Sequence, residues 1–172
     1  VVVVLPKNKT LHRNDVMTCT GGKSRSLSVY NGLVAAQNLS PDKVLIHDVA
    51  RPAVSEDTIT DIILEVNEET GAAPGLPISD ALWKISDGEV QKTLNRNCIF
   101  RAQTPQGFPY SKILEAHESR SDEQAFDDVE LAKKIGLKVI LKTGHKDNMK
   151  ITTPEDFLKM SKILVKKARR KL

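Results

Sequence analysis

Apolar residues along the chain fall in short blocks whose internal spacing alternates between the two regular periods. Val1-Val2-Val3-Val4-Leu5 is an unbroken β-branched run, and such a run needs neighbours on both sides, as in a buried strand of a parallel sheet. A domain rarely begins inside such a strand, so the expected start of this one lies before Val1. Val16–Cys19 predicts a second short strand. It ends in Thr20-Gly21-Gly22-Lys23-Ser24-Arg25, where paired glycines permit tight backbone geometry. From Ser26 the period changes, with Val29, Leu33 and Ala36 at helical spacing. Val44-Leu45-Ile46 predicts a strand that runs into the polar turn His47-Asp48-Val49-Ala50-Arg51-Pro52.

Ser55 is placed to cap a helix whose Ile59, Ile62, Ile63 and Val66 occupy positions i, i+3, i+4 and i+7. Ala72–Pro77 predicts the next strand, and Asp80–Leu94 a hairpin turning at Ser86-Asp87-Gly88. Another strand is expected around Cys98-Ile99-Phe100. Helices follow at about residues 109–119 and 127–135, the second ended by Gly136. Val139–Leu141 and Met149–Thr152 are the last expected strands. Thr153-Pro154-Glu155-Asp156 forms a capping box with proline at the first helical position, and Phe157, Met160, Leu164 and Ala168 share one face of the closing helix.

Strands alternating with helices, without an internal repeat or linker, predict one α/β domain over residues 1–172. Its expected form is a doubly wound, mostly parallel, Rossmann-like sheet with a projecting β-hairpin arm over about residues 79–97. The bulk numbers agree, since 172 residues at 40% hydrophobic and 28% charged suit a single continuous core. Cys19 and Cys98 are far apart and lack the spacing of a zinc site or a disulfide framework, so they read as reduced cytosolic thiols and the expected location is cytoplasmic. The net charge of +4 reflects basic residues clustered between Lys162 and Lys171, which read as a solvated terminal helix rather than a nucleic-acid patch. Apolar runs such as Val1–Leu5 are too short to cross a bilayer.

Two loops at strand ends carry the candidate chemistry. Gly21-Gly22-x-x-Arg25-x-x-Ser28 precedes a helix, a place where backbone N–H groups favour an anion, although a glycine pair there also serves as a plain structural turn. Asp48 and Arg51 flank the turn after a strand and form either a carboxylate and guanidinium pair for a phosphorylated ligand or a local ion pair. His47 reads as a packed or capping histidine, and Trp83 as an interface residue. Lys150 in an apolar segment either lays its stem along the surface or points at an anion. Asp127-Asp128 starts a helix, which accounts for at least one of the two. Walker and G-x-G-x-x-G sequences are absent, and no Ser-His-Asp or Cys-His arrangement is supported by the spacings.

Four separated motifs now fall into a known order: Gly21-Gly22-x-x-Arg25-x-x-Ser28-Val29, Ile46-His47-Asp48-Val49-Ala50-Arg51-Pro52, Arg101-Ala102-Gln103-Thr104-Pro105-Gln106-Gly107-Phe108, and Asn148-Met149-Lys150-Ile151-Thr152-x-Pro154-Glu155-Asp156. Over nearly all its length the chain resembles 2-C-methyl-D-erythritol 4-phosphate cytidylyltransferases. Ser79-Asp80-Ala81-Leu82-Trp83-Lys84 looks most like the bifunctional form, fused to a 2-C-methyl-D-erythritol 2,4-cyclodiphosphate synthase. The resemblance implies transfer of CMP from CTP to methylerythritol phosphate with release of pyrophosphate, in non-mevalonate isoprenoid biosynthesis.

It further implies Mg2+ or another divalent cation near Asp48, which would also face the ribose. Gly21, Gly22 and Ser28 would lie around the cytidine, with Arg25 shaping that loop, while Arg51, Thr104, Arg96 and Lys150 would surround the sugar phosphate. Arg96 and Lys150 would orient that phosphate for attack, Arg96 serving the partner's site in a homodimer embraced through the arm. Departures accompany the match. The family's glycine-rich triphosphate loop should precede Val1; Val49 replaces a usual alanine, Ala81 and Phe126 replace threonines, and the loops near residues 7–15 and 119–124 are short. A cytidylyltransferase for another sugar phosphate, such as ribitol 5-phosphate, and an inactive dimeric fragment are the competing readings.

Overall fold

A computed structural model describes residues 1–119 and 125–169; the expected short loop near residues 119–124 and the end of the basic tail fall largely on 120–124 and 170–172, outside the described residues. The opening run forms strand β1 (Val2–Leu5), paired in parallel with β2 (Met17–Thr20). Helix α1 (Arg25–Ala36) begins where Ser24 accepts a hydrogen bond from the Leu27 N–H. Strand β3 (Lys43–Ile46) leads through the 47–55 turn to α2 (Glu56–Glu65), capped by Ser55 as its sequence predicts.

Strand β4 (Thr70–Pro77) is the axis of the main sheet. Strand β9 (Lys138–Thr143) runs parallel along one edge of it. Along the other edge lie β7 (Phe100–Ala102) and β8 (Gln106–Pro109), two pieces of one antiparallel strand interrupted at residues 103–105. Strand β3 pairs antiparallel to β8, so β3, β4 and β9 share a direction. The hairpin of β5 (Leu82–Ser86) and β6 (Glu89–Leu94) turns on Asp87 and Gly88, both at positive φ, the type I′ geometry that matches strand twist. Helices α3 (Tyr110–Glu118), α4 (Asp128–Lys134) and α5 (Pro154–Arg169) complete the chain.

Two expected strands are displaced. Cys98 sits at φ 64 and the Ile99 N–H closes a turn onto the Arg96 carbonyl, so the strand begins only at Phe100. Residues 149–152 are not a strand; the Ile151 N–H donates to the Ala50 carbonyl and ties them to the neighbouring turn, and Pro154 follows at once.

The core divides across the sheet because successive strand residues face opposite sides. Phe108 of β8 packs with Leu33, Ile113, Leu131 and Ala132, from the faces of α1, α3 and α4, and with Leu137 just before β9. Its neighbour Gly107 faces α2: a Cβ there would come within 2.9 Å of the Val66 side chain and collide with Ile62 Cγ2. Ile62, Val66 and Ala72 form that second cluster, Ile62 being fully buried. Burying each of the larger side chains, such as Ile62, Val66 and Phe108, stabilises the fold by about 1.5–3 kcal/mol. This packing fixes the carboxyl end of β3 and the β7–β8 break side by side.

Candidate active site

Asp48 lies just after β3, and the Arg51 N–H donates to its carbonyl at 3.0 Å to close the turn. Three cations converge on the Asp48 carboxylate. Lys150 Nζ is 3.0 Å from Oδ2, Arg51 Nε 3.5 Å from Oδ2, and Arg25 Nε 3.6 Å from Oδ1. Burial pushes the Asp48 carboxyl up, but the hydrogen bond and charge of Lys150, then Arg25 and Arg51, outweigh it and hold the group below its ordinary value. A carboxylate so surrounded is ionised, and the surplus of cations favours a further anion.

Arg25 has a second anchor. Its Nη2 donates to Asp128 Oδ2 at 2.8 Å, and Asp128 is almost wholly buried, with His117 Nε2 at 3.1 Å from its other oxygen. Asp127 does the ordinary work of a helix start, accepting from the Glu130 N–H, and also receives the buried Gln106 amide at 3.0 Å. Arg25, Arg51 and Lys150 thus stand beside Asp48 and Asp128, with the charge of Asp127 also felt at Arg25.

Thr104, in the break between β7 and β8, reaches this turn directly. Its Oγ1 accepts from the Asp48 N–H at 3.0 Å and donates to His47 Nδ1 at 2.9 Å, while His47 Nε2–H donates to the Arg51 carbonyl at 3.1 Å. That assignment uses neutral imidazole. Packing around the ring withdraws enough water to hold the His47 pKa below its ordinary value, against the Arg51 carbonyl and Asp48, which raise it. His47 is therefore a turn-capping residue, as its sequence context suggests.

Gly21, Gly22 and Ser28 lie at the start of α1, where their polar groups hold the loop itself. The Gly21 N–H donates to the Leu5 carbonyl at 2.8 Å, the Gly22 N–H donates to Ser28 Oγ at 3.0 Å, and Ser28 Oγ donates to the Ser24 carbonyl at 2.8 Å. Arg96 lies at the base of the arm, its guanidinium donating to the Ser79 carbonyl, apart from the Asp48 turn. Asp48, Arg51, Arg25, Thr104 and Lys150 are thus gathered into one site, while Arg96 is not. Val49 and Phe126 are almost fully exposed.

Four site residues escaped sequence reasoning: Asp128 as the anchor of Arg25, with His117 behind it, and the buried amides Gln103 and Asn148. Gln103 and Asn148 stand in the sequence only as members of their motifs, and the polar neighbours Lys146, Asp147 and Lys150 give no sign that Asn148 is buried.

The α/β fold is that of Rossmann-like nucleotidyltransferases. A crystal structure of 2-C-methyl-D-erythritol 4-phosphate cytidylyltransferase from Thermus thermophilus matches with a TM-score of 0.87 at 31% identity, covering 95% of this chain and 81% of that one. The model of the family described as IspD, 2-C-methyl-D-erythritol 4-phosphate cytidylyltransferase, matches residues 1–166, and the chain belongs to that family. The bifunctional enzyme IspD/IspF of a Ruegeria species is 47% identical over 87% of this chain and 39% of its own length. The 2-C-methyl-D-erythritol 4-phosphate cytidylyltransferase of Cereibacter sphaeroides (strain ATCC 17023) is 44% identical over 84% of this chain and 64% of its own length. The chain thus spans less than two thirds of each of these two relatives. Among the described residues, no helix is long and apolar enough to cross a membrane.

Proposed function

We propose that the protein transfers CMP from CTP to 2-C-methyl-D-erythritol 4-phosphate, a cytoplasmic step of isoprenoid synthesis. The observation that carries this reading is the convergence of Arg25, Arg51 and Lys150 on one carboxylate at the carboxyl end of β3, in a chain of this family. An acceptor phosphate oxygen forms a bond to the α-phosphorus of CTP. The bond from that phosphorus to the bridging oxygen of the β-phosphate breaks, and the electron pair leaves with pyrophosphate. The acceptor is already anionic, so no base is needed; catalysis is positioning and charge neutralisation. Lys150, 43% exposed, exchanges Asp48 for the incoming phosphate, while Arg51, held by the Asn148 carbonyl at 2.8 Å, stays in place. Gly21, Gly22 and Ser28 line the cytidine side of this reading.

A magnesium ion fits only as a shared ion. No group of three potential ligands occurs among the described residues, and the Asp48 oxygens face cations. Asp48 would supply one oxygen, with substrate phosphates and retained waters supplying the rest, as Mg2+ prefers. Bound there, the ion would neutralise charge developing on the phosphates.

The arm supports a homodimer: Trp83, Ile85 and Val90 are 60%, 51% and 53% exposed, an apolar surface that calls for a partner. Arg96 at its base would then complete the neighbouring site.

The deciding experiment is pyrophosphate release from CTP and Mg2+, with methylerythritol phosphate or ribitol 5-phosphate as acceptor. Release with the first acceptor, falling at least about 100-fold in Lys150→Ala, is expected. Preference for ribitol 5-phosphate would reassign the acceptor, absence of release with either would leave a dimeric binding module, and indifference to Lys150→Ala would remove that residue from the site. Mixing Arg96→Ala with Lys150→Ala protein should restore part of the activity if the site is shared.

A further inference from the structure

The segment carrying Lys150 has no strand ladder to hold it, yet its turn is gripped from below by two buried amides. Gln103, only 4% exposed, sits in the break between β7 and β8 and spans the 145–148 turn. Its Nε2 donates to the carbonyls of His145 at 3.0 Å and Asn148 at 3.1 Å, and its Oε1 accepts from the His145 N–H at 3.1 Å. Asn148, fully buried, returns the grip: its Nδ2 donates to the Thr104 carbonyl at 2.7 Å. The same Asn148 carbonyl receives Arg51 Nη1. Gly144 leaves the space this needs, since a Cβ there would collide with Gln103 Oε1 and lie 3.1 Å from the Gly75 backbone.

We propose that Gln103 is a positioning residue for Lys150, its amide fixing the 145–148 turn so that the ammonium group stands beside Asp48 and Arg51, where the acceptor phosphate enters. The role in catalysis rests on the proposed reaction, whereas the grip on the turn is geometric. A buried primary amide that makes three hydrogen bonds to one turn satisfies groups that would otherwise be stranded without water. Apart from asparagine, which is one methylene shorter, no residue type offers two donors and an acceptor on one short planar group. Misplacement of a reacting group by about 1 Å costs on the order of 100-fold in rate.

The test uses two lesions of different kind. Gln103→Met removes the amide while keeping its bulk, and Gly144→Ala displaces the amide without removing it. Hydrogen exchange at the amides of His145 and Ile151 is measured first, with the α2 amides as a control for global folding. Both variants should lose protection at His145 and Ile151 by about tenfold or more while α2 is unchanged. Steady-state pyrophosphate release follows, in wild-type and Lys150→Ala backgrounds. Either lesion should lower kcat about 10–100-fold with Lys150 present and change it less than about twofold without it. Unchanged protection would overturn the clamp. Lost protection with unaltered kcat, or equal losses in both backgrounds, would leave Gln103 with a purely structural role. Absence of acceptor-dependent release from wild-type protein would instead overturn the reaction itself, and with it the role of Gln103 in catalysis.

Discussion

Replacing Asp128 by asparagine keeps the shape of a buried side chain and removes its charge. In the folded protein that charge has two partners, Arg25 Nη2 at 2.8 Å and His117 Nε2 at 3.1 Å, and water reaches neither carboxylate oxygen to any extent. Asparagine offers one acceptor and one donor where the carboxylate offers two acceptors. Its oxygen must face Arg25, which only donates, so its NH2 faces His117. A charge-assisted hydrogen bond contributes about 1.5–3 kcal/mol against about 1 for a neutral one. Arg25 is itself 36% exposed and can recover solvation, which limits the penalty. The expected cost is therefore about 1–2 kcal/mol for Asp128→Asn and about 3 for Asp128→Ala, which removes both contacts. For a domain of 172 residues, 1 kcal/mol shifts Tm by about 2–4 °C, so the two variants should melt about 2–8 °C and 6–12 °C below wild type in calorimetry. Urea midpoints at constant m would confirm that stability, not compactness, changed. An Asp128→Asn protein within about 0.5 kcal/mol of wild type would show that Asp128 is not the buried anion described here.

Gly107→Ala should cost about 1–3 kcal/mol, because the new Cβ meets Ile62 and Val66, and most of that loss should disappear in an Ile62→Ala background, as chemical denaturation of the four proteins would show. The neutral His47 gives a pH signature. Its folded pKa lies below 6.5, so the unfolded chain binds the extra proton; the contribution to stability is complete above pH 6.5 and falls as pH drops toward the folded value. Urea midpoints at pH 7.5 and 5.5 should differ less in His47→Gln than in wild type. Asp48, also depressed, contributes stability above its ordinary 3.8 that is lost only as pH falls through its folded value, so an Asp48→Asn protein should lose part of the wild-type acid transition below pH 4.

The alternation of β-branched runs with 3.6-periodic helices, the Ser55 cap and the Asp87-Gly88 turn is written locally, because each depends on residues a few positions apart. For that reason β1 to β6, β9 and all five helices were legible in the sequence, as were Asp48, Arg51 and Thr104 as members of one family pattern. Local patterns do not carry pairing partners. The 100–109 stretch reads as a motif, and only the partners on both sides, β3 and β4, make its second half a buried strand and leave Gln103–Pro105 as the break beside the Asp48 turn. The segment around Lys150 reads as a strand, but no neighbour among the described residues offers it a ladder. Tertiary structure alone brings Arg25, from the start of α1, between Asp48 and an aspartate 103 residues further on, and puts the Gln103 amide beneath a turn 42 residues away. Helix and strand type follow from the chain's own periods; the convergence of charge follows from which faces the core buries against each other, and that is a property of the whole fold.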